Sequence, residues 1–112
     1  VDPLVQLLRT GTLEGKILAA GALRNLAASE DYQVAISPLR SGAVEPLVKM
    51  LWIRDEAARL HAAGALRNLS AKAKNQTAFS RAGAVDALFE VVLGFGCNEG
   101  KRQAAWTLRN LN

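Results

Sequence analysis

One cysteine and one histidine stand in 112 residues. With Cys97 and His61 alone, the chain closes no internal disulfide and forms no paired-cysteine or paired-histidine metal site, so no cofactor is expected. Aromatic residues make up 5%, and Ala and Leu outweigh the β-branched types, a composition of closely packed helices rather than sheets. No apolar run has the length of a membrane span, and neither a basic leader nor a signal core opens the sequence. A membrane is therefore not an expected partner, and a reducing cytoplasmic or nuclear setting suits the chain. Long blocks of Lys or Arg are also missing. The net charge of +4 leans toward acidic partners without supplying the basic tail of a nucleic-acid binder, so nucleic acid is not an expected ligand.

What the sequence has in quantity is itself. Ala22-Leu23-Arg24-Asn25-Leu26 returns as Ala65-Leu66-Arg67-Asn68-Leu69, 43 residues on, and as Thr107-Leu108-Arg109-Asn110-Leu111 after 42 more. A second set precedes these: Val1-Asp2-Pro3-Leu4-Val5, Val44-Glu45-Pro46-Leu47-Val48 and Val85-Asp86-Ala87-Leu88-Phe89. A third, Gln33-Val34-Ala35-Ile36-Ser37 against Gln76-Thr77-Ala78-Phe79-Ser80, occurs twice. The chain thus divides into a single domain of three repeats, approximately 1–28, 29–71 and 72–112, the first one truncated. A period of this length belongs to all-α solenoids built from two or three helices per unit.

Each full unit is expected to hold a short first helix ending at Gly42 or Gly83, a second helix, and a longer third helix carrying the Leu-Arg-Asn-Leu motif. Pro3 and Pro46 fit the first turn of a second helix, where a missing N–H costs nothing. Thr12, Asp55 and Asn98 are the expected N-caps of the third helices. Asp2, Glu14, Glu45, Glu56, Asp86 and Glu99 are assigned to helix starts, where the dipole favours a carboxylate. The spacing of Ala62, Ala65, Leu66 and Leu69, and of Ala19, Ala22, Leu23 and Leu26, marks one buried stripe per third helix. Trp52, just past a second helix, is expected to pack in the core.

Period, order and motif together resemble the armadillo repeat family, through Gly42-Ala43-Val44-Glu45-Pro46-Leu47-Val48-Lys49-Met50-Leu51, His61-Ala62-Ala63-Gly64-Ala65-Leu66-Arg67-Asn68-Leu69-Ser70 and their copies. The resemblance covers essentially the whole chain and implies a right-handed superhelix whose third helices line a concave groove. In that family an asparagine on the third helix bonds the backbone of an extended peptide, often beside a tryptophan four residues earlier. Asn25, Asn68 and Asn110 match the asparagine. Trp106 matches the tryptophan, whose place is taken by Gly21 and Gly64 in the other units. An amide suits this work because it offers donor and acceptor together; the same groups also suit a tie between adjacent helices.

Arg24, Arg67 and Arg109 each precede the asparagine, about 100° around the helix, with His61 and Arg102 on the same side. The expected function is a non-catalytic protein-binding module holding an extended, acidic peptide in a basic groove. One alternative is a self-assembling structural fragment, its uncapped ends leaving Leu4, Val5, Leu7 and Leu8 short of neighbours. Another is an importin-like adaptor for basic peptides, which the two missing tryptophans disfavour. Gly94-Phe95-Gly96-Cys97-Asn98-Glu99-Gly100 imitates a phosphate loop, but no strand leads into it and its glycine spacing is wrong. His61 and Cys97 fall in different repeats, which argues against nucleophilic catalysis.

Overall fold

The computed structural model describes residues 3–28, 37–71, 76–94 and 97–111. Among them are seven helices and no strand: α1 (Pro3–Thr10), α2 (Leu13–Ala27), α3 (Ser37–Leu51), α4 (Glu56–Ser70), α5 (Gln76–Ala82), α6 (Ala84–Leu93) and α7 (Asn98–Leu111). α1, α3 and α6 form one row and α2, α4 and α7 a second, each helix packing on its neighbours in the row and on its partner across it. This is the all-α solenoid that the period implies.

The third helices start where a side chain accepts the first unbonded amides. Thr12 Oγ1 accepts from Gly15 N at 3.1 Å, and Asp55 Oδ1 from Ala58 N at 2.9 Å. In the last unit the cap is Cys97, whose Sγ accepts from Gly100 N at 3.3 Å, and Asn98 is already helical. The expectation for Asn98 followed residue preference; the repeat step of 42 from Asp55 lands on Cys97.

Gly83 ends α5 as expected. Its φ of 70° is a left-handed conformation that glycine adopts without the Cβ penalty. Gly42 ends nothing, because α3 runs through it and through Pro46 as one helix. Glu45 therefore lies inside a helix rather than at a helix start. The cost of that continuity is local: Pro46 has no N–H, so the Gly42 carbonyl four residues earlier has no helical donor. Arg9 supplies one, donating from Nη2 to Gly42 O at 3.0 Å, with Nη1 3.8 Å from the Glu45 carboxylate. The part of the predicted first helix before Ser37 lies outside the described residues, as does Asp2.

Between the rows the core is aliphatic: Leu47, Leu51, Leu66, Leu69, Leu88 and Met50 are all buried, each worth roughly 1.5–3 kcal/mol relative to exposure. The third-helix row instead closes on small residues, Ala20, Ala62, Ala63 and Ala104. At Gly100 a β-carbon would stand 3.5 Å from the Leu60 Cα of α4, so the backbones approach closely there. The stripe of α4 is buried throughout, whereas in α2 Ala22 is half-buried and Leu26 exposed, since no described segment covers that side. Val5 and Leu8 are buried and Leu4 half-buried, contrary to expectation; of those four only Leu7 is exposed. Trp52 is 52% exposed, which corrects its assignment to the core: α3 ends at Leu51, and the ring follows in a surface turn.

Candidate functional site

The motif residues come together along the row α2, α4 and α7, and each junction between units is built the same way. Asn68 Nδ2 donates to the Arg24 carbonyl of the preceding third helix at 2.8 Å. One unit on, Asn110 Nδ2 lies 3.4 Å from the Arg67 carbonyl and donates to Ser70 Oγ at 3.0 Å, while Ser70 donates to the same Arg67 carbonyl at 2.8 Å. Both asparagines thus tie adjacent helices, and the tie fixes the amide's orientation. Asn25, at the corresponding place in the first unit, is exposed.

Arg24 and Arg67 follow an equally regular rule, each reaching forward onto the next unit. Arg24 lies across Gly64, where a β-carbon would stand 2.5 Å from its Nε. Arg67 stacks over Trp106 at 4.3 Å from the ring centroid, a separation at which a guanidinium is attracted to the ring face. Arg109 approaches the same ring at 5.9 Å. Arg67 Nη1 also donates to Gln103 Oε1 at 3.2 Å, and Gln103 Nε2 to Glu99 Oε2 at 2.7 Å. Arg102 closes the cluster on Glu99 at 2.6 Å. Hydrogen bonds from Gln103 and Arg102, reinforced by the Arg102 charge, hold the Glu99 carboxyl below its usual range. Gln103 was not singled out from sequence, although it stands in the place of His61 one unit later.

His61 sits half-buried between α4 and α2, with Nδ1 enclosed and unpartnered and facing Gly21. Burial, then the Arg24 charge, push its pKa below the ordinary histidine value. The unfolded chain therefore takes up this proton more readily than the folded one, so stability falls as pH drops from about 6.5 through the lower folded value. His61→Gln, which copies Gln103, is expected to flatten the decline in Tm between pH 7 and pH 5. An unchanged slope would remove His61 from the acid response. Beside the ring, Ile17, Leu18, Gly21, Ala22, Arg24 and Asn25 line a pocket of about 300 Å³ open along α2.

Two rows of helices made from three like units, one row carrying an Arg-Asn pair at each step, define an α-solenoid repeat protein. Residues 39–71 match the armadillo/beta-catenin-like repeat family. Among similar solved structures is a computationally designed armadillo repeat protein for modular peptide recognition, 30% identical with a TM-score of 0.82 over 98% of this chain and 46% of that one. A designed armadillo repeat protein in complex with the peptide (KR)4 is 28% identical, TM-score 0.82, over 96% and 45%. An engineered protein is 31% identical, TM-score 0.83, over 96% and 43%. The chain spans less than half the length of these proteins. No curated protein matches it. Residues 39–71 thus carry the armadillo repeat, and the chain as a whole has the fold of an armadillo-repeat stack.

Proposed function

We propose that the row α2, α4 and α7 is a non-catalytic binding surface for an extended peptide, and that the peptide it prefers is acidic. The observation that carries this reading is the row of guanidinium groups, Arg24, Arg67 and Arg109, set at one per unit beside Asn25, Asn68 and Asn110. The one carboxylate within the cluster described above, Glu99, is already engaged by Arg102 and Gln103. One similar designed protein was made for modular peptide recognition, and another was solved with a basic peptide. The charge of the present row favours the opposite sign of ligand. Asn68 and Arg67 both also tie neighbouring units, so replacing either removes an inter-repeat contact together with any ligand contact; Arg67 is the probe of charge because only its loss should separate an acidic from a neutral peptide.

Titration calorimetry with extended acidic, neutral and (KR)4 peptides, at low and high salt, tests the reading. The acidic peptide is expected to bind tightest, and increasingly weakly as salt screens the exposed charges. Arg67→Ala is expected to weaken it by roughly tenfold at low salt, about the worth of one charge-assisted hydrogen bond, and the neutral peptide much less. Equal losses for both peptides would remove the charge preference. Tightest binding of (KR)4 would reverse it, and no binding of any peptide would remove the surface's assigned role.

A further inference from the structure

A second cavity, of about 400 Å³, lies between α1, α2 and α3, at the edge where second helices end and third helices begin. Lys16, on its border, stands roughly 12 Å along α2 from Arg24, so the cavity is separate from the peptide row. We infer that this cavity takes a phosphate monoester carried on an apolar group, as in a phosphorylated tyrosine side chain or a free aryl phosphate.

Charge supplies the first argument. Arg9, Lys16, Glu45 and Lys49 border the cavity. Arg9 is engaged, with Nη2 on the Gly42 carbonyl and Nη1 3.8 Å from the Glu45 carboxylate. Lys16 and Lys49 have no ion pair or hydrogen bond among the described residues. The dipole accounts for a cation in the last turn of a helix, as Arg9 and Lys49 are. It does not account for Lys16, the fourth residue of α2, which sits near the positive end of that helix. The second junction shows what accompanies a cation at this step. Steps of 43 and 41 residues put Arg59 in the place of Lys16, Asp86 in that of Glu45 and Glu90 in that of Lys49. Arg59 donates to the Ile53 carbonyl, and the Glu90 carboxylate favours its charge. At the first junction a second cation, Lys49, replaces that carboxylate, and the balancing charge is what a ligand brings. Two uncompensated ammonium groups match a dianion, and a phosphate monoester carries roughly −1.5 to −2 at pH 7.

Shape supplies the second. Leu8, Pro46 and Met50 are buried and Ile53 is half-buried, and together they give the cavity an apolar wall beside its cations. Sites for small molecules combine an apolar lining of this kind with a few charged groups that fix orientation. A bare phosphate ion is too small to reach both the lysines and the wall. A ring attached to the phosphate fills the remaining space and buries apolar surface against Leu8 and Met50.

Met50 is the sole methionine of the chain, so the NMR signal of its isotope-labelled methyl group reports binding in this cavity apart from any binding on the peptide row. Phenyl phosphate is expected to shift that signal saturably, with a Kd on the order of 1 mM for so small a ligand. Benzoate, which puts a single charge on the same ring, and inorganic phosphate, which has no ring, are each expected to bind several-fold more weakly. Lys49→Glu copies Glu90 on an exposed side chain and is expected to weaken phenyl phosphate by about tenfold or more. Lys16→Gln is expected to weaken it as well, and keeps the test open should the charge reversal disturb folding, which circular dichroism checks. A phosphotyrosyl peptide with neutral flanks that moves the methyl signal at lower concentration than phenyl phosphate, while its unphosphorylated twin does not, would assign the site to a protein segment. A phosphopeptide that leaves the signal unmoved would assign it to free aryl phosphates. No saturable shift with phenyl phosphate in the millimolar range, equal affinity for benzoate or inorganic phosphate, or unaltered affinity in both lysine variants would each overturn the proposal.

Discussion

Replacing Arg59 with alanine is expected to cost the fold on the order of 3 kcal/mol, by removing a buried side chain and a charge-assisted hydrogen bond together. Arg59 is 1% exposed and is the largest of the fully buried side chains. Its Nε donates to Ile53 O at 2.9 Å, and the same carbonyl accepts from Asp55 N at 2.8 Å. The arginine thereby fastens the first turns of α4 to the turn that follows α3, beside the Asp55 cap. Burial pulls its pKa down, while the Glu90 carboxylate acts in the other direction; a guanidinium keeps its charge regardless. Arg59→Met retains most of the stem volume and loses the donor, so a smaller cost of about 1–2 kcal/mol is expected. Urea denaturation of both variants at pH 7 separates the packing contribution from the hydrogen bond. A loss under about 1 kcal/mol for alanine would show the side chain resting in a fold of the surface rather than joining two helices.

Much of this architecture was legible because repetition lets each residue be read several times. The third-helix motif by itself places Arg24, Asn25 and their copies on one row, and the caps Thr12 and Asp55 follow from residue type. Where residue type and period disagreed, period was the better guide: Asn98 looked like a cap, yet the 42-residue step names Cys97. Pro46 misled for another reason. A proline inside a helix removes a donor, and nothing local in the sequence says that Arg9, 37 residues earlier, reaches the orphaned Gly42 carbonyl. Trp52 misled because large apolar rings are usually sheltered, whereas a residue one past a helix end turns outward. The forward lean of the arginines is likewise invisible in a single unit. It depends on what the following unit places opposite, glycine at 64 and tryptophan at 106, and this long-range pairing fixes the character of the surface.

That pairing requires the third helices to stand close, and Gly100 is where the requirement is sharpest. Gly15, Ala58 and Gly100 occupy the same step of the three units, and Gly100 is buried against the backbone of α4. A β-carbon there would meet Leu60 Cα and Cys97 Sγ at 3.5 Å, ordinary contact distances. Gly100→Ala is therefore expected to be tolerated, and to stabilise by up to about 1 kcal/mol through the lower backbone entropy of the unfolded chain. Gly100→Leu has no room, since the obstacle is main chain rather than the tip of a flexible side chain. It is expected to cost on the order of 3 kcal/mol and to wedge α7 away from α4. About one turn along is an inter-repeat bond, Arg67 Nη1 to Gln103 Oε1 at 3.2 Å. Its loss frees Arg67 from its place over Trp106, so the leucine variant is expected to lose peptide affinity as well as stability, while the alanine variant keeps both. Urea denaturation with calorimetry on the acidic peptide checks the pair. A leucine variant as stable as the parent would mean that the spacing of the row does not depend on the close approach at Gly100, and the regular placement of the three arginines would need another cause.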